Sequence, residues 1–480
     1  MLVVVFIMIV TLLVGCQASP KQQSVVSKNN SSEENLFETQ AEDETMPSNI
    51  NYRGNFSSTD GSVNFSININ QTFNSGKMPV VEVAPMSITS EDMQRVAKTL
   101  LGDVVFYERE PSSNPQYSKS QYQKMINRLS PYANVDAMTT LVGAEQAEDS
   151  LVSIKNTISR ITEAMESAPD ENPHVLCDWT LKKERIYNDS EWDIRGRPLS
   201  EDNDWLVATC EKDGIGYTYM VIVRDQDDYK INRFILQLGG ASVDTFTDRM
   251  IYWSKLCRTE EPTKHHITSV QNKVMTLLQK MELGDWKIAD TQIETYGTVA
   301  EPEYMLRIHA VPVINGIPSI YGQKNAARAE DYSGAYVLTK ASFLMSANGD
   351  LIEMRVDSPF SVKSVINENV ARIPFSKIIE RVEQHLSFSD AGNYGLSSDD
   401  MTIVKDYFGE NILCKVNVSD AEYGLARIMI KDITDCYYYV PAVIFRGNVE
   451  YVGENTDSLY YAIEENSIVC INSVDGSIIS

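Results

Sequence analysis

The sequence has none of the short motifs that most enzymes use for their chemistry. It contains no G-x-S-x-G nucleophile turn, no H-E-x-x-H metal helix, no Walker phosphate loop and no G-x-G-x-x-G dinucleotide loop. Gly214-Ile215-Gly216 lacks the third glycine of a dinucleotide loop and is better explained as a hairpin turn. We therefore expect a protein that is not an enzyme and that uses no cofactor and no metal.

Histidine is scarce, with five residues in 480. His265 and His266 stand just before a predicted helix, where adjacent side chains diverge, so we expect a structural or solvent role for them. His309 lies on a predicted strand and is expected to be a satisfied surface or groove residue. His385 follows Arg381 by one helical turn, and its neighbour's charge disfavours a bound cation, so we expect it to be solvated.

Paired cysteines are also missing. No cysteine belongs to a C-x-x-C pair, and no histidine stands at metal-ligand spacing from one. Cys414 and Cys470 lie within apolar runs, which indicates buried thiols. Disulfides are permitted outside the cell, but the sequence leaves their pairing open. The cysteines that follow Cys16 are Cys177, Cys210, Cys257, Cys414, Cys436 and Cys470.

Basic residues are outnumbered, 42 against 67 acidic ones, which gives a net charge of −25. Such a chain is repelled by nucleic-acid phosphates, so we expect no nucleic-acid partner. The acidic residues 225–228 resemble the start of a calcium loop but lack its glycine at position six and its glutamate at position twelve. With so many acids, a glycosidase-type carboxylate pair stays an open alternative.

Charge is absent altogether from residues 1–15, MLVVVFIMIVTLLVG. A bilayer span needs roughly 20 apolar residues, so this stretch instead fits the core of a secretion signal. Its end, Leu13-Val14-Gly15-Cys16, resembles the lipobox of bacterial lipoproteins. The resemblance implies cleavage before Cys16, a diacylglyceryl group on the Cys16 thiol, and anchoring at the extracytoplasmic face of the cell membrane. Signals normally carry Lys or Arg before the apolar core, so we expect a basic stretch upstream of Met1.

Residues 16–60 are rich in Ser, Asn, Gln and Glu and poor in aliphatic residues. Such a composition buries too little surface to offset chain entropy, so we expect a disordered tether. As a flexible coil it would reach roughly 36 Å from the membrane.

The remaining chain has the pattern of an α+β protein with antiparallel sheets, each packed by amphipathic helices. We expect an N-terminal domain over 61–260 and a C-terminal part over 261–480, divided near Gly239-Gly240 to Pro262. Residues 242–258 are ambiguous between helix and strand. Helices are predicted between the capping residues 88–92 and Gly102, and over 118–129, 143–166, 268–281 and 375–387. Strands are predicted over 63–70, 79–83, 205–210, 215–224, 229–238, 304–314, 336–346, 350–356, 401–416, 422–432, 437–446 and 466–479.

The C-terminal part has an internal repeat. Residues 342–352 and 467–479 are each a strand, an Asx-Gly reverse turn and another strand, and each follows an amphipathic helix and a longer strand. We interpret this as two helix-plus-sheet modules in tandem. Tyrosines cluster at 437–439, where strand alternation predicts that some are exposed, although packing is the more common use of such residues.

Four segments resemble known families. Residues 471–479 are similar to the close of PepSY-like domains, and residues 307–318 resemble extracellular regulatory lipoproteins of the YycH/YycI type. Lys77-Met78-Pro79-Val80 and Tyr437-Tyr438-Tyr439-Val440-Pro441 resemble segments of uncharacterised lipoproteins of Gram-positive bacteria. The resemblance implies a regulatory role outside the cell and supplies no catalytic residue.

These features predict a membrane-anchored, non-catalytic module that binds a protein or peptide, with a membrane sensor or protease as its partner. A small-ligand or glycan-binding lipoprotein is the first alternative. A carboxylate-based cell-envelope hydrolase is the second.

Overall fold

The computed structural model shows an α+β protein, as the sequence predicts. Cys16, residues 16–48 of the expected tether and the ambiguous segment 242–258 lie outside the described residues, as do His174 and Cys257. The structure describes residues 49–72, 76–108, 118–144, 146–170, 175–183, 204–212, 215–226, 229–238, 260–297, 302–322, 335–336, 338–389, 412–428, 436–453 and 459–479.

Six α-helices are described. They are α1 (Ser90–Leu101), α2 (Lys119–Leu129), α3 (Val135–Val142), α4 (Ala147–Glu166), α5 (Lys264–Met281) and α6 (Phe375–Ser387). The predicted capping sequence of α1 is confirmed: Thr89 is the N-cap, and its side chain and that of Asp92 bond each other's backbone N–H groups. The helix predicted over 143–166 is preceded by a separate short helix, α3, because Asn134 caps a new start and Gly143 ends it.

The strands form two sheets. The central sheet comprises β4 (Tyr107–Glu108), β5 (Lys182–Lys183), β6 (Asp204–Lys212), β7 (Ile215–Gln226), β8 (Tyr229–Leu238), β9 (Trp286–Gly297), β10 (Pro302–Ile314), β11 (Ile317–Pro318), β12 (Ala335–Tyr336), β13 (Lys340–Ser346) and β14 (Leu351–Asp357). The terminal sheet comprises β1 (Asn49–Ser57), β2 (Val63–Thr72), β3 (Val80–Pro85), β15 (Phe360–Asn367), β16 (Ile412–Ile428), β17 (Tyr437–Gly453), β18 (Leu459–Asn472) and β19 (Ile478–Ile479).

Most strand pairs are antiparallel. The terminal sheet runs β1-β2-β16-β17-β18-β19, and β3 pairs with both β15 and β17. The central sheet runs β11-β10-β13-β14-β8-β7-β6-β4, with β9 on β10, β12 on β8 and β5 on β6. Among the described strands, β2 with β16 and β12 with β8 are the two parallel pairs.

The two predicted C-terminal modules are visible in the topology. Helix α5 precedes the antiparallel meander β9-β10-β13-β14, and α6 precedes the meander β16-β17-β18-β19. The modules belong to different sheets, however, and the expected division into 61–260 and 261–480 does not follow the sheets. Strand β14 pairs with β8, and β16 pairs with β2, so each sheet joins segments from both parts. Local sequence signals carry no information about such long-range partners.

The expected tether over 16–60 is too long at its C-terminal end, because residues 49–57 form strand β1. Ile50 is buried, and Tyr52 and Phe56 pack against the core of the terminal sheet. The Tyr52 hydroxyl also donates to the Glu383 carboxylate on α6. The apolar residues alternate along β1, but Gly54 interrupts the pattern and the polar composition hides it.

Apolar helix faces cover both sheets. Helices α1 and α5 contribute side chains to the core of the central sheet, where Val274 and Leu278 of α5 are fully buried. Helix α6 covers the terminal sheet with Ile378, Val382 and Leu386, which are also fully buried. Each such side chain contributes about 1.5–3 kcal/mol when it leaves water.

The predictions for the cysteine and tyrosine side chains can be compared with their burial in the structure. Cys210, Cys414, Cys436 and Cys470 are buried free thiols, which confirms the prediction made for Cys414 and Cys470. Burial raises the pKa of the Cys414 thiol and of the Cys470 thiol to about 12. Packing, the more common use, is confirmed for the tyrosines at 437–439, since all three are buried; the exposure that strand alternation predicts for some of them is not found there. Apolar clusters lie on both faces of β17, so side chains that alternate along the strand find a core on either side.

A buried ion cluster joins the halves of the central sheet. The Asp357 side chain is 1% exposed and accepts from Arg233 on β8. Arg355 on β14 adds a second guanidinium, with its Nε 2.9 Å from the Asp357 Oδ2 atom. Two guanidinium groups therefore face one buried carboxylate, and both depend on it as their counterion.

We expect Asp357→Asn to lower the free energy of unfolding by about 3 kcal/mol or more, because Arg233 would keep a buried charge without its counterion. Glu380→Gln is the matched control: Glu380 and Lys377 pair at 2.7 Å, but their side chains are 60% and 62% exposed. There the loss should be much smaller, because water screens an exposed pair. Urea unfolding of both variants makes the comparison. Equal losses would contradict this role for Asp357.

Candidate functional site

The segment 315–322, which we call the strap, joins the two sheets. It begins with the predicted Asn315-Gly316 turn, where both residues have positive φ (50° and 78°), and β11 then folds back onto β10. Beyond β11 the strap lies along β16 of the terminal sheet. The Ile320 amide donates to the Leu425 carbonyl at 2.9 Å, and the Ser319 amide returns to the Pro312 carbonyl of β10 at 2.8 Å. One short segment therefore bonds to a strand of each sheet.

A glycine in β16 allows the strap to approach this closely. A Cβ atom at Gly424 would lie 2.9 Å from the Pro318 carbonyl oxygen and 3.1 Å from the Ile320 Cγ1 atom. The first distance involves backbone, which has no side-chain rotation with which to move away. Only glycine therefore fits at position 424 with the strap in place.

A cavity of about 370 Å³ opens beside the strap, and we call it the junction groove. Its lining comes from the end of β2 and from neighbouring positions on β16 and β17. The lining residues are Gln71, Thr72, Asp420, Ala421, Glu422, Tyr423 and Arg446. Most of these side chains are polar, and both signs of charge are present.

Backbone irregularities shape the groove. The pairing of β16 with β17 shifts between Val418 and Asp420, and the pairing of β17 with β18 shifts between Phe445 and Arg446. Bulges of this kind redirect side chains and are common next to binding sites. Gly447 follows immediately, and a Cβ atom there would lie 1.9 Å from the Asn417 carbonyl oxygen. The close strand approach at Gly447 holds the irregular pairing in place.

Gln71 fixes the side of the groove formed by β2. Its Nε2 donates to the Asp420 carboxylate, and its Oε1 accepts from the Ala421 amide at 3.0 Å. One amide side chain thus fastens the end of β2 to the bulged part of β16. The Asp420 carboxylate is held at the rim by this contact.

Arg446 connects the groove with the strap. Its Nη1 lies 2.7 Å from the Glu422 Oε2, and its Nη2 donates to the Tyr321 carbonyl oxygen. The Arg446 side chain is 18% exposed and that of Glu422 is 36% exposed, so the pair is only partly screened by water. Any group that competes for Arg446 therefore acts on the strap as well.

Tyr423 forms the other wall. Its hydroxyl accepts from Arg372 Nη1 at 3.1 Å and lies 3.2 Å from the Ser473 Oγ. The Arg372 guanidinium also lies 5.8 Å from the centre of the Tyr423 ring. Burial raises the pKa of the Tyr423 hydroxyl, so the group stays a neutral hydrogen-bonding partner.

His309 lies under the strap on the face of β10 opposite the main core. Its ring stacks on Tyr321 with the centroids 5.4 Å apart. Cross-strand pairing places Ser342 on one side of it and Asp290 on the other, a Ser-His-Asp row. The buried His309 Nδ1 has no hydrogen-bond partner, so no hydrogen bond through that atom links the three side chains. The expectation that His309 is satisfied is therefore wrong.

His266 has the structural role and His265 the solvent exposure that were expected for this pair, and only their position relative to the helix differs. His265 and His266 lie within the first turn of α5, because Thr263 caps the helix earlier than predicted. The His266 Nδ1 is 3.1 Å from the Thr263 Oγ1, so this ring belongs to the cap. His385 is half-buried at the end of α6 rather than solvated, since residues 388–389 fold back over the helix end and bond its carbonyl.

Over the described ranges, no group of three or more His, Cys, Asp or Glu residues is arranged to hold a metal ion. Asp225 and Gln226, from the acidic run at 225–228, belong to β7, and Gln226 pairs with Tyr229 of β8. Within the same ranges, no helix combines the length and apolar character that crossing a membrane requires.

The sequence did not predict the groove residues. Gln71, Asp420, Glu422 and Arg446 carry no motif, and they meet only because β2 pairs with β16 next to a bulge. The available signal was the glycines inside predicted strands, which often mark a bulge or a close backbone approach.

We expect Gly424→Ala to lower the free energy of unfolding by about 1–3 kcal/mol, because the methyl group overlaps the strap backbone. Gly216→Ala in β7 is the control, since a Cβ atom there meets nothing within 4 Å. Urea unfolding compares the two variants. A Gly424→Ala protein as stable as the control would show that the strap does not lie against β16.

The chain matches no protein-family model and no curated protein. It aligns with the crystal structure of an uncharacterized protein from Eubacterium rectale ATCC 33656 at 10% sequence identity, over 93% of this chain and 97% of that chain. The TM-score of this alignment is 0.39, which is too low to support an argument about fold or function.

Proposed function

We propose that this chain is a lipid-anchored, extracytoplasmic, non-catalytic binding module that recognises a peptide segment of a partner protein in the junction groove. The observation that carries the proposal is the groove itself. It combines carboxylates, a guanidinium, an amide and a hydroxyl beside the strap that joins the two sheets.

The chemistry of the lining favours a peptide over an apolar ligand. A peptide offers an N–H donor and a C=O acceptor at every residue and needs a surface that supplies both. The groove provides donors from Arg446 and Gln71 and acceptors from Asp420 and Glu422. Its volume of about 370 Å³ lies within the usual range of ligand sites. An apolar small-molecule site would instead need an aromatic or aliphatic lining, and Tyr423 is the one aromatic residue among the lining residues described.

Anchoring is proposed on the sequence alone. Leu13-Val14-Gly15-Cys16 resembles a lipobox, and two acyl chains on Cys16 would give durable attachment to the membrane. The polar residues that follow Cys16 would hold the folded part away from the bilayer. A membrane sensor or protease is the class of partner that such a position favours.

The likeness to PepSY-like and YycH/YycI-type proteins stays a proposal as well. It is supported by the order of elements in the two C-terminal modules, each a helix followed by four meander strands. In this proposal the modules form the scaffold, and the groove on β16 and β17 of the second module carries the recognition.

For the anchor, we expect Cys16→Ala to move the protein from the membrane fraction to the soluble fraction, because no acyl chain can then be attached. Cys177→Ala is the control: Cys177 is half-buried in the folded part and should leave fractionation unchanged. Fractionation with mass analysis of the N-terminal peptide is the measurement. A Cys16→Ala protein that stays in the membrane fraction would contradict lipid anchoring through this residue.

For the groove, we expect a photo-crosslinking residue at Thr72 to capture a peptide segment of an envelope protein in native membranes. The control position is Val152 on α4, which is 57% exposed and lies outside the groove lining. Mass spectrometry of the crosslinked peptides identifies the partner. The same products from both positions, or glycan fragments only from Thr72, would argue against peptide recognition in the junction groove.

A further inference from the structure

His309 occupies an unusual place for a group that titrates near neutral pH. The ring is half-buried, the Nδ1 atom is buried without a hydrogen-bond partner, and Tyr321 of the strap covers one ring face. A neutral imidazole tolerates this, because one ring nitrogen carries no proton and an unpaired acceptor costs less than an unpaired charged donor.

Charged residues on three strands surround His309, and the strap contributes the neutral Tyr321. Asp290 and Glu294 lie on β9, Arg307 on β10 itself and Lys340 on β13. The two acids favour a protonated ring and the two bases oppose it, while Tyr321 faces the ring as a neutral hydroxyl. Burial has a larger effect than these opposing charges, and it lowers the pKa of His309 below its ordinary value.

A proton on His309 would disturb Tyr321 by two routes. The imidazolium carries a donor on both nitrogens, so the buried Nδ1–H needs an acceptor that it does not have in this structure. Asp290 pairs with His309 across β9 and β10 and is the opposite charge that acts most strongly on the ring. An imidazolium either turns toward Asp290 or moves toward water, and in both cases its stack on Tyr321 is disturbed.

Tyr321 passes the disturbance to the terminal sheet. Its carbonyl holds Arg446, which is paired with Glu422 in the junction groove. The neighbouring Ile320 amide makes the bond to Leu425 of β16. Loss of the Tyr321 anchor therefore weakens the contacts that fasten the strap to β16.

We propose that His309 is an acid-sensitive latch, whose protonation releases the strap from β16 and so loosens the joint between the two sheets beside the junction groove. The inference does not depend on the groove binding a peptide, since it concerns the strap alone. Acid favours any state in which His309 reaches water, because the exposed ring binds its proton at higher pH than the latched ring does. The release therefore takes place as pH falls below about 6.5.

Hydrogen exchange of the full chain, read by mass spectrometry and corrected for intrinsic rates, tests the latch at pH 7.5 and pH 5. We expect the peptide covering residues 317–322 to lose protection at the lower pH, because the exposed ring binds its proton at higher pH than the latched ring does. Two peptides serve as references, one for each sheet, and should keep their protection. One contains Val313, whose amide donates to the Asp285 carbonyl, and the other contains Gly476, whose amide donates to the Asn472 carbonyl.

His309→Gln is the matched variant, because glutamine stays neutral at both pH values. We expect the strap of this variant to show the same protection at pH 5 as at pH 7.5. The proposal is overturned if wild-type strap protection does not change with pH, if the references lose protection equally, or if His309→Gln keeps the wild-type response. A titration of the His309 ring by NMR gives a second measure, and its midpoint should coincide with that of strap opening.

Discussion

The pairing of β2 with β16 is the contact on which the rest of the molecule depends. It joins segments from opposite ends of the described chain, so the loop it closes carries a large entropic cost. Side chains on the paired positions offset this cost, since each is at most 2% exposed. They are Val63, Phe65 and Ile67 on β2, and Cys414, Val416 and Val418 on β16. Once these strands meet, β16 of the C-terminal meander has β2 as its neighbour, and β1 joins the same sheet by pairing with β2. Gln71 at the end of β2 then reaches the bulge that shapes the groove.

A second constraint follows from the first. Along the sequence, the central-sheet strands β4–β14 lie between two groups of terminal-sheet strands, β1–β3 and β15–β19. The chain crosses from one sheet to the other before α1, and it crosses back between β14 and β15. The strap adds a third link, which is a backbone contact between Ser319 and Leu425. Two glycines allow close backbone contact at this place: Gly424 admits the strap, and Gly447 admits Asn417. The groove, the strap and His309 are therefore parts of one joint, and a change in any of them reaches the others through Arg446 and Tyr321.

The sequence predicted local elements well and long-range partners poorly, for physical reasons. Helix α6 has the predicted bounds because apolar residues recur at helical spacing on one face and all of them are buried. The Asn315-Gly316 turn has the φ values that its residue types favour. Strand β1 was missed because its apolar residues are too few to stand out in a polar segment. The groove was missed because it depends on register shifts and on a parallel pair, and neither has a local signature.

The most direct test of this account is whether the two sheets unfold as one unit. All five tryptophans of the sequence lie between residues 179 and 286, in the segment that builds the central sheet, whereas circular dichroism reports on both sheets. Urea unfolding followed by both signals should give transitions that coincide, since the shared crossings and the strap couple the sheets. A fluorescence transition that is complete while a large part of the dichroism remains would show that the terminal sheet folds without the central one, and would contradict the account.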